Sequence, residues 1–397
     1  MKTAGIIAEY NPFHNGHARH VAKTREAGFT HVVAVMSGCF VQRGEPALLS
    51  KAARAEMALR NGVDLVVELP SVYSMASAGY FAQAAVGLLD RMGVVDALSF
   101  GSECGDLELL KTASLAVDSP EIKPVLRTFL DRGVSFATAR QAAVKAVFGE
   151  ETAAVLVSPN NLLAAEYLSV VRAVSSKMAA FTVKREGSLH DGTNPKHQLC
   201  ASQIREFVRT GQLNRETLAL SMPESSLAIL ERETGRGALV NTEKFETAAL
   251  SRLRAMECSA FELPPDVSEG LHTRIYEASR YALTLDELYA AAKTKRYAHS
   301  RIRRAIMAAV INLPGEIPAE VPYARVLGMG EKGRELLRVM KDKSRIPIAM
   351  RGSRITGLGD GAQKVFALEC AAADLIALTL EQPASCGGEF RFQVILT

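Results

Sequence analysis

The feature that most constrains the fold is a regular alternation of short apolar segments with helical patterns along roughly the first 200 residues. The strand-like segments lie at residues 4–8, 31–36, 64–69, 96–100 and 178–184, and helical periodicity occupies residues 16–27, 51–61 and 77–92 between them. Such alternation is typical of βαβ units with a parallel sheet. The sequence therefore predicts an α/β fold with a doubly wound sheet, whose ligands bind at the carboxyl ends of the strands.

Two histidines follow the first predicted strand, where the chain turns into the first helix. His14 and His17 are three residues apart and share one helix face, and Pro12 precedes them in the turn. Free N–H groups and the helix dipole at a helix start favour an anion such as phosphate. Gly16 leaves no side chain where a base or ribose would approach. The pattern predicts a nucleoside triphosphate site in which both histidines stabilise charge as the α-phosphate is attacked.

Zinc is the weaker interpretation of these histidines. No Glu follows His14 as in the His-Glu-x-x-His pattern of zinc enzymes, and the chain contains no Cys-x-x-Cys pair. The six cysteines are scattered and indicate reduced thiols in the cytoplasm. Neither a signal-peptide pattern nor an apolar run of about 18 residues is found, so we expect a cytoplasmic protein without a membrane span.

The turn around the histidines resembles the signature of a nucleotidyltransferase superfamily: strand, aromatic-x-Pro-x-His-x-Gly-His, helix. The matching residues are Tyr10, Pro12, His14, Gly16 and His17. Members of that superfamily split ATP between its α- and β-phosphates and attach adenylate to an acceptor. The resemblance implies a nucleotidyltransferase-like, ATP-binding domain with His14 and His17 as catalytic residues.

Three further side chains are possible phosphate contacts. Arg43 lies in the glycine-containing loop after the second strand, and a solvated arginine is an equally good interpretation there. Ser202 and Arg205 form a Ser-x-Ile-Arg pattern at a helix start. In enzymes with the His-x-Gly-His signature a comparable helix start meets the triphosphate.

Strand alternation fades beyond about residue 215, and helical patterns dominate from there. We expect an ATP-binding domain at residues 1–215 and a mostly helical domain at 216–397, with a short α/β piece at residues 323–378. The net charge of the chain is only +4, so a polyanion must meet a local basic patch. Residues 293–304 provide one, with six cations and no acid. The cations are Lys293, Lys295, Arg296, Arg301, Arg303 and Arg304.

This basic segment, residues 293–304, predicts contact with a nucleic-acid backbone in the second domain. Tyr297 and His299 lie among the cations and can stack on bases while the cations meet phosphates. The alternative is a solvated helix face, which is the usual setting of a charge run.

Longer motifs narrow the resemblance to one family. They are AEYNPFHNGH at 8–17, VMSG at 35–38, QRGEP at 42–46, GVDLV at 62–66, FGSE at 100–103, SPNN at 158–161, KTKRY at 293–297 and LGM at 327–329. They resemble the tRNA(Met) cytidine acetate ligase family. That family activates acetate with ATP as acetyl-adenylate, releases pyrophosphate, and acetylates N4 of the wobble cytidine of elongator tRNA(Met). Residues 383–397 match no motif, and Ser202 stands where threonine is expected.

Matched residue by residue, the resemblance also implies an ATP site, with Mg²⁺ accompanying the nucleotide. The implied ATP-binding residues are Ile7, Ala8, Glu9, Tyr10, Asn11, Pro12, Phe13, His14, Asn15, Gly16, His17, His20, Gly101, Asn160 and Arg185. Two alternatives remain open: an adenylyltransferase with a small-molecule acceptor, and a non-catalytic tRNA-binding protein that retains a nucleotide site. No motif identifies the acetate pocket, the metal ligands, the general base or the oligomeric state.

Overall fold

A computed structural model describes residues 1–185, 199–211, 214–264, 267 and 270–397. The strands are β1 (Thr3–Ala8), β2 (His31–Ser37), β3 (Phe40–Val41), β4 (Glu45–Pro46), β5 (Leu65–Leu69), β6 (Ala97–Ser102), β7 (Ala179–Lys184), β8 (Ala324–Met329), β9 (Ile348–Ala349) and β10 (Ile395–Leu396). Helices of the first half are α1 (Asn15–Glu26), α2 (Lys51–Arg60), α3 (Ser71–Ser74), α4 (Ala78–Arg91), α5 (Leu107–Asp118), α6 (Ile122–Asp131), α7 (Phe136–Phe148), α8 (Glu150–Val155) and α9 (Pro159–Ala173).

The later helices begin with α10 (Ala201–Arg209), α11 (Arg215–Ala219), α12 (Glu224–Gly235) and α13 (Thr242–Ala255), followed by a 3-10 helix at Cys258–Glu262. The rest are α14 (Leu271–Tyr281), α15 (Leu285–Ala292), α16 (His299–Val310), α17 (Glu331–Lys343), α18 (Gly352–Ile355), α19 (Asp360–Leu378) and α20 (Gly388–Arg391). Within the described part of the chain, no helix is both long and apolar enough to cross a membrane.

The central sheet confirms the predicted parallel α/β architecture. Five parallel strands run in the order β5-β2-β1-β6-β7. The chain passes from β1 outward through β2 to β5, and then returns to the other side of β1 with β6 and β7. Strand order therefore reverses at β1, and the carboxyl end of β1 is the switch point at which such sheets bind ligands. The histidine pair follows that end directly.

Alternate residues of β2 belong to two separate cores. Val33 and Val35 join the cluster that contains α4 and α9, whereas Ala34 and Met36 join the cluster that contains α1 and α2. Every residue of β2 is buried, because helices cover both faces of the sheet. This arrangement explains why the strands appear in the sequence as continuous apolar runs.

The chain after residue 216 returns to the same sheet, a pairing that the sequence did not indicate. The predicted α/β piece forms β8 and α19, and β8 pairs antiparallel with β5, Leu65 lying opposite Met329. Strands β9 and β10 then pair parallel with β8. The division at residue 215 stays a prediction, and residues on both sides of it contribute strands to one sheet.

Helices α6 and α7 form a hairpin that follows α5. Helix α5 stops before Pro120, which cannot continue a helix. Gly133 adopts a φ of +78° and ends α6, a conformation that glycine adopts without strain.

A buried ion cluster joins β8, α19 and α20 to the first half of the chain. Lys51 Nζ lies 2.9 Å from both Glu369 Oε1 and Glu389 Oε1 and also contacts Glu68. Arg325 pairs with Glu389 and lies 3.3 Å from Glu68 Oε2. Burial raises the pKa of Glu68 to about 7. Although burial also acts to raise the pKa of Glu369, Lys51 and the Ser71 N–H lower it to about 2.

Two cations, Lys51 and Arg325, thus face three carboxyl groups, and the raised pKa of Glu68 favours its protonated, uncharged form. Glu369 also reaches the loops that follow β2 and β5, because its carboxylate accepts the N–H groups of Ser71 at 2.7 Å and of Cys39 at 3.2 Å. Gly38 leaves the space for this carboxylate, since a Cβ there would lie 2.6 Å from Glu369 Oε1. The cluster thus holds α19 against the loops at the carboxyl edge of the sheet.

Candidate active site

The two imidazoles are held by the backbone at the start of α1. His14 is the N-cap residue, and its Nδ1 accepts the N–H of Gly16 at 2.9 Å. His17 Nδ1 accepts the N–H of His14 at 3.2 Å. Since each Nδ1 is an acceptor, the proton of each neutral ring resides on Nε2. Both Nε2–H groups are thereby left as hydrogen-bond donors for a ligand.

Packing keeps both rings uncharged. The rings of His14 and His17 stack with centroids 3.9 Å apart, and the edge of His17 meets Tyr10 at 5.0 Å. Burial, with the nearby charge of Arg185, lowers the pKa of His14 to about 4. The same burial, with His14 and Arg185 beside it, lowers the pKa of His17 well below its usual range. Each ring is therefore neutral and offers one Nε2–H donor to a ligand.

His20 is oriented by the neighbouring strand. Its Nε2 lies 2.9 Å from Ser99 Oγ of β6, and Thr24 Oγ1 meets the same oxygen at 2.8 Å. Burial and then the charge of Arg185 lower the pKa of His20 to about 4. His20 therefore links α1 to β6, and its contact with ATP stays a prediction.

Arg185 reaches the histidines across Gly101. The backbone N–H of Arg185 donates to Ser102 O at 2.8 Å, so β7 delivers this residue to the carboxyl edge. A Cβ on Gly101 would lie 3.3 Å from Arg185 Cγ, so the missing side chain makes room for the arginine. Gly101 is one of the implied ATP-binding residues, and in the structure the Arg185 side chain lies over it. The structure brings together His14, His17, Gly101 and Arg185 as the resemblance implies.

Asn160 stands at the same edge, in a reciprocal clamp with the loop after β6. The Glu103 carboxylate accepts Asn160 Nδ2 at 2.6 Å and the backbone N–H of Asn161 at 2.9 Å. In return, Asn161 Oδ1 accepts the N–H groups of Glu103 at 2.8 Å and Cys104 at 3.2 Å. A carboxylate at the start of α9 also suits the helix dipole. Sequence reasoning missed Glu103 and Asn161 as partners, although both lie within the quoted FGSE and SPNN motifs.

Fully buried Arg54 holds the loop between β1 and α1, and sequence reasoning missed it. Its NH1 donates to Glu9 O at 2.8 Å and to Ser37 O at 3.0 Å, and its NH2 donates to Gly38 O. These carbonyls lie at the ends of β1 and β2. An arginine inside a helical pattern gives no sequence signal for such a role.

The rest of the loop is anchored on both sides. Asn11 Oδ1 accepts the N–H of Leu48 at 2.8 Å, and Asn15 Nδ2 donates to Leu220 O at 2.9 Å. Burial varies along this segment. The buried residues are Tyr10, Asn11, Pro12 and Phe13, the half-buried ones are Ile7, Ala8 and Glu9, and Gly16 is exposed. The segment that resembles an ATP loop is therefore a rigid turn whose exposed part is the start of α1.

The three possible phosphate contacts differ in setting. Arg205 is buried, and it donates to Asn11 O at 2.9 Å and to Glu45 Oε1 at 2.7 Å, so its guanidinium supports the loop from behind. Arg43 lies in the β3–β4 turn. Burial raises the pKa of Glu9, and the positive charge of Arg43 acts in the opposite direction. Ser202 is exposed, with its Oγ 3.0 Å from Cys200 Sγ. Contact of these residues with phosphate stays a prediction.

The basic segment lies beside the β3–β4 hairpin. Gly44 in the β3–β4 turn has a φ of +72°, and a Cβ there would be 2.7 Å from the backbone of Arg303 and Arg304. Helix α16 thus packs against the hairpin that also carries Arg43. Lys295 and Arg296 are exposed, whereas Arg301, Arg303 and Arg304 are half-buried.

Two residues of the basic segment are committed to internal contacts. Tyr297 is only 3% exposed and its ring belongs to the apolar core, with Arg301 5.2 Å away over the ring. The prediction that Tyr297 stacks on bases is therefore wrong, because a tyrosine among cations filled the core instead. Lys293 Nζ donates to Thr294 O at 3.0 Å and to Tyr297 O. Lys293 thus closes its own turn.

Throughout the described ranges, no group of three or more His, Cys, Asp or Glu side chains is arranged to hold a metal ion.

Comparison with known proteins agrees with this geometry. A family model for HIGH nucleotidyl transferases matches residues 1–388. The tRNA(Met) cytidine acetate ligase of Clostridium tetani is 40% identical over 362 residues, covering 88% of this chain and 90% of that protein. The enzyme of the same name from Thermoanaerobacter sp. is 39% identical and covers 98% of both chains. Thermotoga maritima TmcAL bound with alpha-thio ATP superposes with a TM-score of 0.90 at 33% identity over both full chains.

Proposed function

Since the chain belongs to the tRNA(Met) cytidine acetate ligase family of HIGH nucleotidyltransferases, we propose that it acetylates N4 of the wobble cytidine of elongator tRNA(Met), using ATP and acetate. One observation supports the chemistry best. Two neutral imidazoles present Nε2–H donors at the start of α1, beside Arg185, at the switch point of the sheet. We expect the enzyme in the cytoplasm, where its RNA substrate is found.

In the first step an acetate oxygen attacks the α-phosphorus of ATP. The bond from that phosphorus to the bridging oxygen of the β-phosphate breaks, and pyrophosphate leaves with the negative charge. His14 and His17 donate hydrogen bonds to the phosphate oxygens as this charge develops, and the Arg185 guanidinium adds a positive charge. No proton transfer is needed in this step, which suits imidazoles that stay neutral.

In the second step the exocyclic amine of cytidine attacks the acetyl carbon of acetyl-adenylate. A C–N bond forms, the bond from the acetyl carbon to the phosphate oxygen breaks, and AMP leaves while the amine releases one proton. The RNA must reach the same edge of the sheet. The β3–β4 hairpin places the basic segment at this edge, where exposed Lys295 and Arg296 can meet RNA phosphates.

Acetate-dependent exchange of labelled pyrophosphate into ATP tests the first step. Loss of one donor to developing charge costs about 2.7–4 kcal/mol, so His17→Ala is expected to slow exchange by roughly a hundredfold to a thousandfold. His272→Ala is the matched control, since His272 lies on α14 with Glu262 3.5 Å away. Normal exchange by His17→Ala would defeat the assigned role.

Replacing Lys295, Arg296 and Arg303 together with Ala tests the RNA step. Exchange should continue while acetyl transfer to tRNA fails, and each lost phosphate contact should reduce the salt slope of binding by about one. Replacing Lys332, Arg334 and Arg338 of α17 is the control with equal loss of charge. Unchanged binding and salt slope in the first variant would favour the solvated-face interpretation.

The two alternatives give different outcomes with the wild-type protein. A small-molecule adenylyltransferase would show exchange that requires an acceptor other than acetate, and it would leave tRNA unmodified. A non-catalytic tRNA-binding protein would bind RNA and show no exchange. Analysis of nucleosides in tRNA from cells without this protein singles out the ligase, because N4-acetylcytidine is lost only if this protein forms it.

A further inference from the structure

Two of the exposed aromatic side chains of the described chain lie in the first turns of neighbouring helices. Tyr80 in the first turn of α4 is 67% exposed, and Phe136, the first residue of α7, is 54% exposed. A single exposed ring has no special meaning. These two, however, are connected to one another and to the basic segment by a short series of contacts.

The connection runs through an ion pair between α7 and α9. Arg140 NH1 lies 2.7 Å from Glu166 Oε1, and the Arg140 guanidinium lies 5.5 Å from the centre of the Phe136 ring. On the other side of the pair, a Cβ on Gly79, the neighbour of Tyr80, would lie 3.4 Å from Glu166 Oε2. The first turns of α4 and α7 therefore border one surface, which we call the aromatic rim (Tyr80, Phe136 and Arg140).

The basic segment lies beside the turn that leads into the Phe136 end of this rim. A Cβ on Gly133, in the turn just before α7, would lie 3.8 Å from Arg296 Nε. Arg296 and Phe136 consequently flank the same turn, one offering a cation and the other an apolar ring. The charge of Arg140 is offset by Glu166, so the exposed cations at this end of the rim are Arg296 and Lys295.

The ion pair of the rim lies on a helix that packs against β6. Tyr167, next to Glu166 on α9, packs with its ring 6.2 Å from Phe100, the residue before Gly101. Helix α9 therefore connects the rim to the strand that carries Gly101.

Exposed aromatic rings beside cations suit single-stranded nucleic acid. Bases of an RNA loop stack on aromatic side chains while phosphates meet Lys or Arg, whereas the bases of a duplex are already stacked on one another. We propose that Phe136 and Tyr80 stack on unpaired bases of the RNA loop that delivers the target cytidine, with Arg296 on the adjoining phosphate. This inference rests on the proposed function, in that RNA is the acetyl acceptor.

Paired alanine variants test the stacking. Phe136→Ala and Tyr80→Ala should each weaken binding of an RNA stem-loop carrying the anticodon loop by about tenfold, since one base stack contributes roughly 1–3 kcal/mol. Acetate-dependent exchange reports that the first step is intact. Phe148→Ala is the matched control, because Phe148 ends the same helix α7 and is 37% exposed. Phe136→Tyr should restore affinity.

Salt dependence separates stacking from charge. Phe136→Ala should leave the salt slope of binding unchanged, whereas Arg296→Ala should reduce it by about one. The chain contains no tryptophan, so Phe136→Trp introduces a single fluorophore at the rim. Its emission should be quenched by the stem-loop and not by an RNA duplex of equal length.

The outcomes are distinguishable. If wild-type protein neither binds nor acetylates the RNA, the proposed function fails. If wild-type protein acetylates the RNA but Phe136→Ala binds like Phe148→Ala and the tryptophan emission does not respond, only the stacking proposal is overturned. Equal quenching by loop and duplex would also overturn it.

Discussion

Lys51→Met removes the charge at the centre of the buried ion cluster while keeping a side chain of similar length. Lys51 Nζ contacts Glu68 and lies 2.9 Å from Glu369 and Glu389, and its side chain is only 5% exposed. Without it, Arg325 is the one remaining cation of the cluster. Removing one partner from a buried ion pair typically costs about 3–5 kcal/mol. That loss is a large share of the roughly 5–15 kcal/mol by which native proteins are stable.

Urea unfolding of wild type and variant measures this loss as a change in the free energy of unfolding. The matched control is Lys111→Met on α5, where Lys111 Nζ lies 2.7 Å from Glu108 Oε1 and the two side chains are 47% and 81% exposed. Water screens that pair, so its removal should cost no more than about 0.5 kcal/mol. Adding Glu369→Gln to Lys51→Met should recover part of the stability, because an uncompensated carboxylate is removed.

The sign of the pH dependence gives a second check. Burial already raises the pKa of Glu68 to about 7, and loss of Lys51 raises the pKa of the remaining carboxylates in the folded state. Carboxyls whose folded pKa exceeds the unfolded value favour the folded state more as the pH falls. The destabilisation by Lys51→Met should therefore be smaller at pH 5 than at pH 8. A loss below about 1 kcal/mol, or an equal loss at both pH values, would refute the proposed role of Lys51.

Three further predictions concern the active site. Burial lowers the pKa of His14 to about 4 and that of His17 well below its usual range. As the pH is lowered through 6.5, the ordinary pKa of histidine, kcat/KM for acetate-dependent exchange should therefore not fall. A decline centred at pH 6.5 would show that the imidazoles titrate normally. Gly101→Val should displace Arg185 and raise the KM for ATP without changing RNA affinity, and it should add nothing in an Arg185→Ala background. Gly44→Ala should push the β3–β4 hairpin away from α16 and slow acetyl transfer to tRNA more than exchange; equal slowing of both steps would contradict this coupling.

Local patterns in the sequence identified the architecture and the chemical centre. Parallel strands appear as apolar runs because both of their faces are buried, and Pro12 with His14 and His17 signals a turn into a helix start. The prediction that the histidines share a face is confirmed by their stacked rings. All of these features depend on residues within a few positions of each other.

The same local reasoning misjudged a residue whose setting depends on distant partners. Tyr297 was expected on the surface among cations, but its ring is buried in the core. Arg205 was a possible phosphate contact; its guanidinium donates to Asn11 O and to Glu45, and its contact with phosphate stays a prediction. Periodicity and charge along the chain do not specify which side of a segment faces the protein.

By itself, the sequence determined the parallel α/β fold, the position of the histidine pair after β1 and the presence of a basic segment, because spacing along the chain encodes these features. Only the tertiary structure decided that Arg185 crosses Gly101, that Glu103 and Asn161 clamp each other, and that Lys51 meets Glu369 from α19. These partners lie tens to hundreds of residues apart along the chain. Their meeting depends on which strands become neighbours and which helix faces pack together, and no local periodicity specifies either.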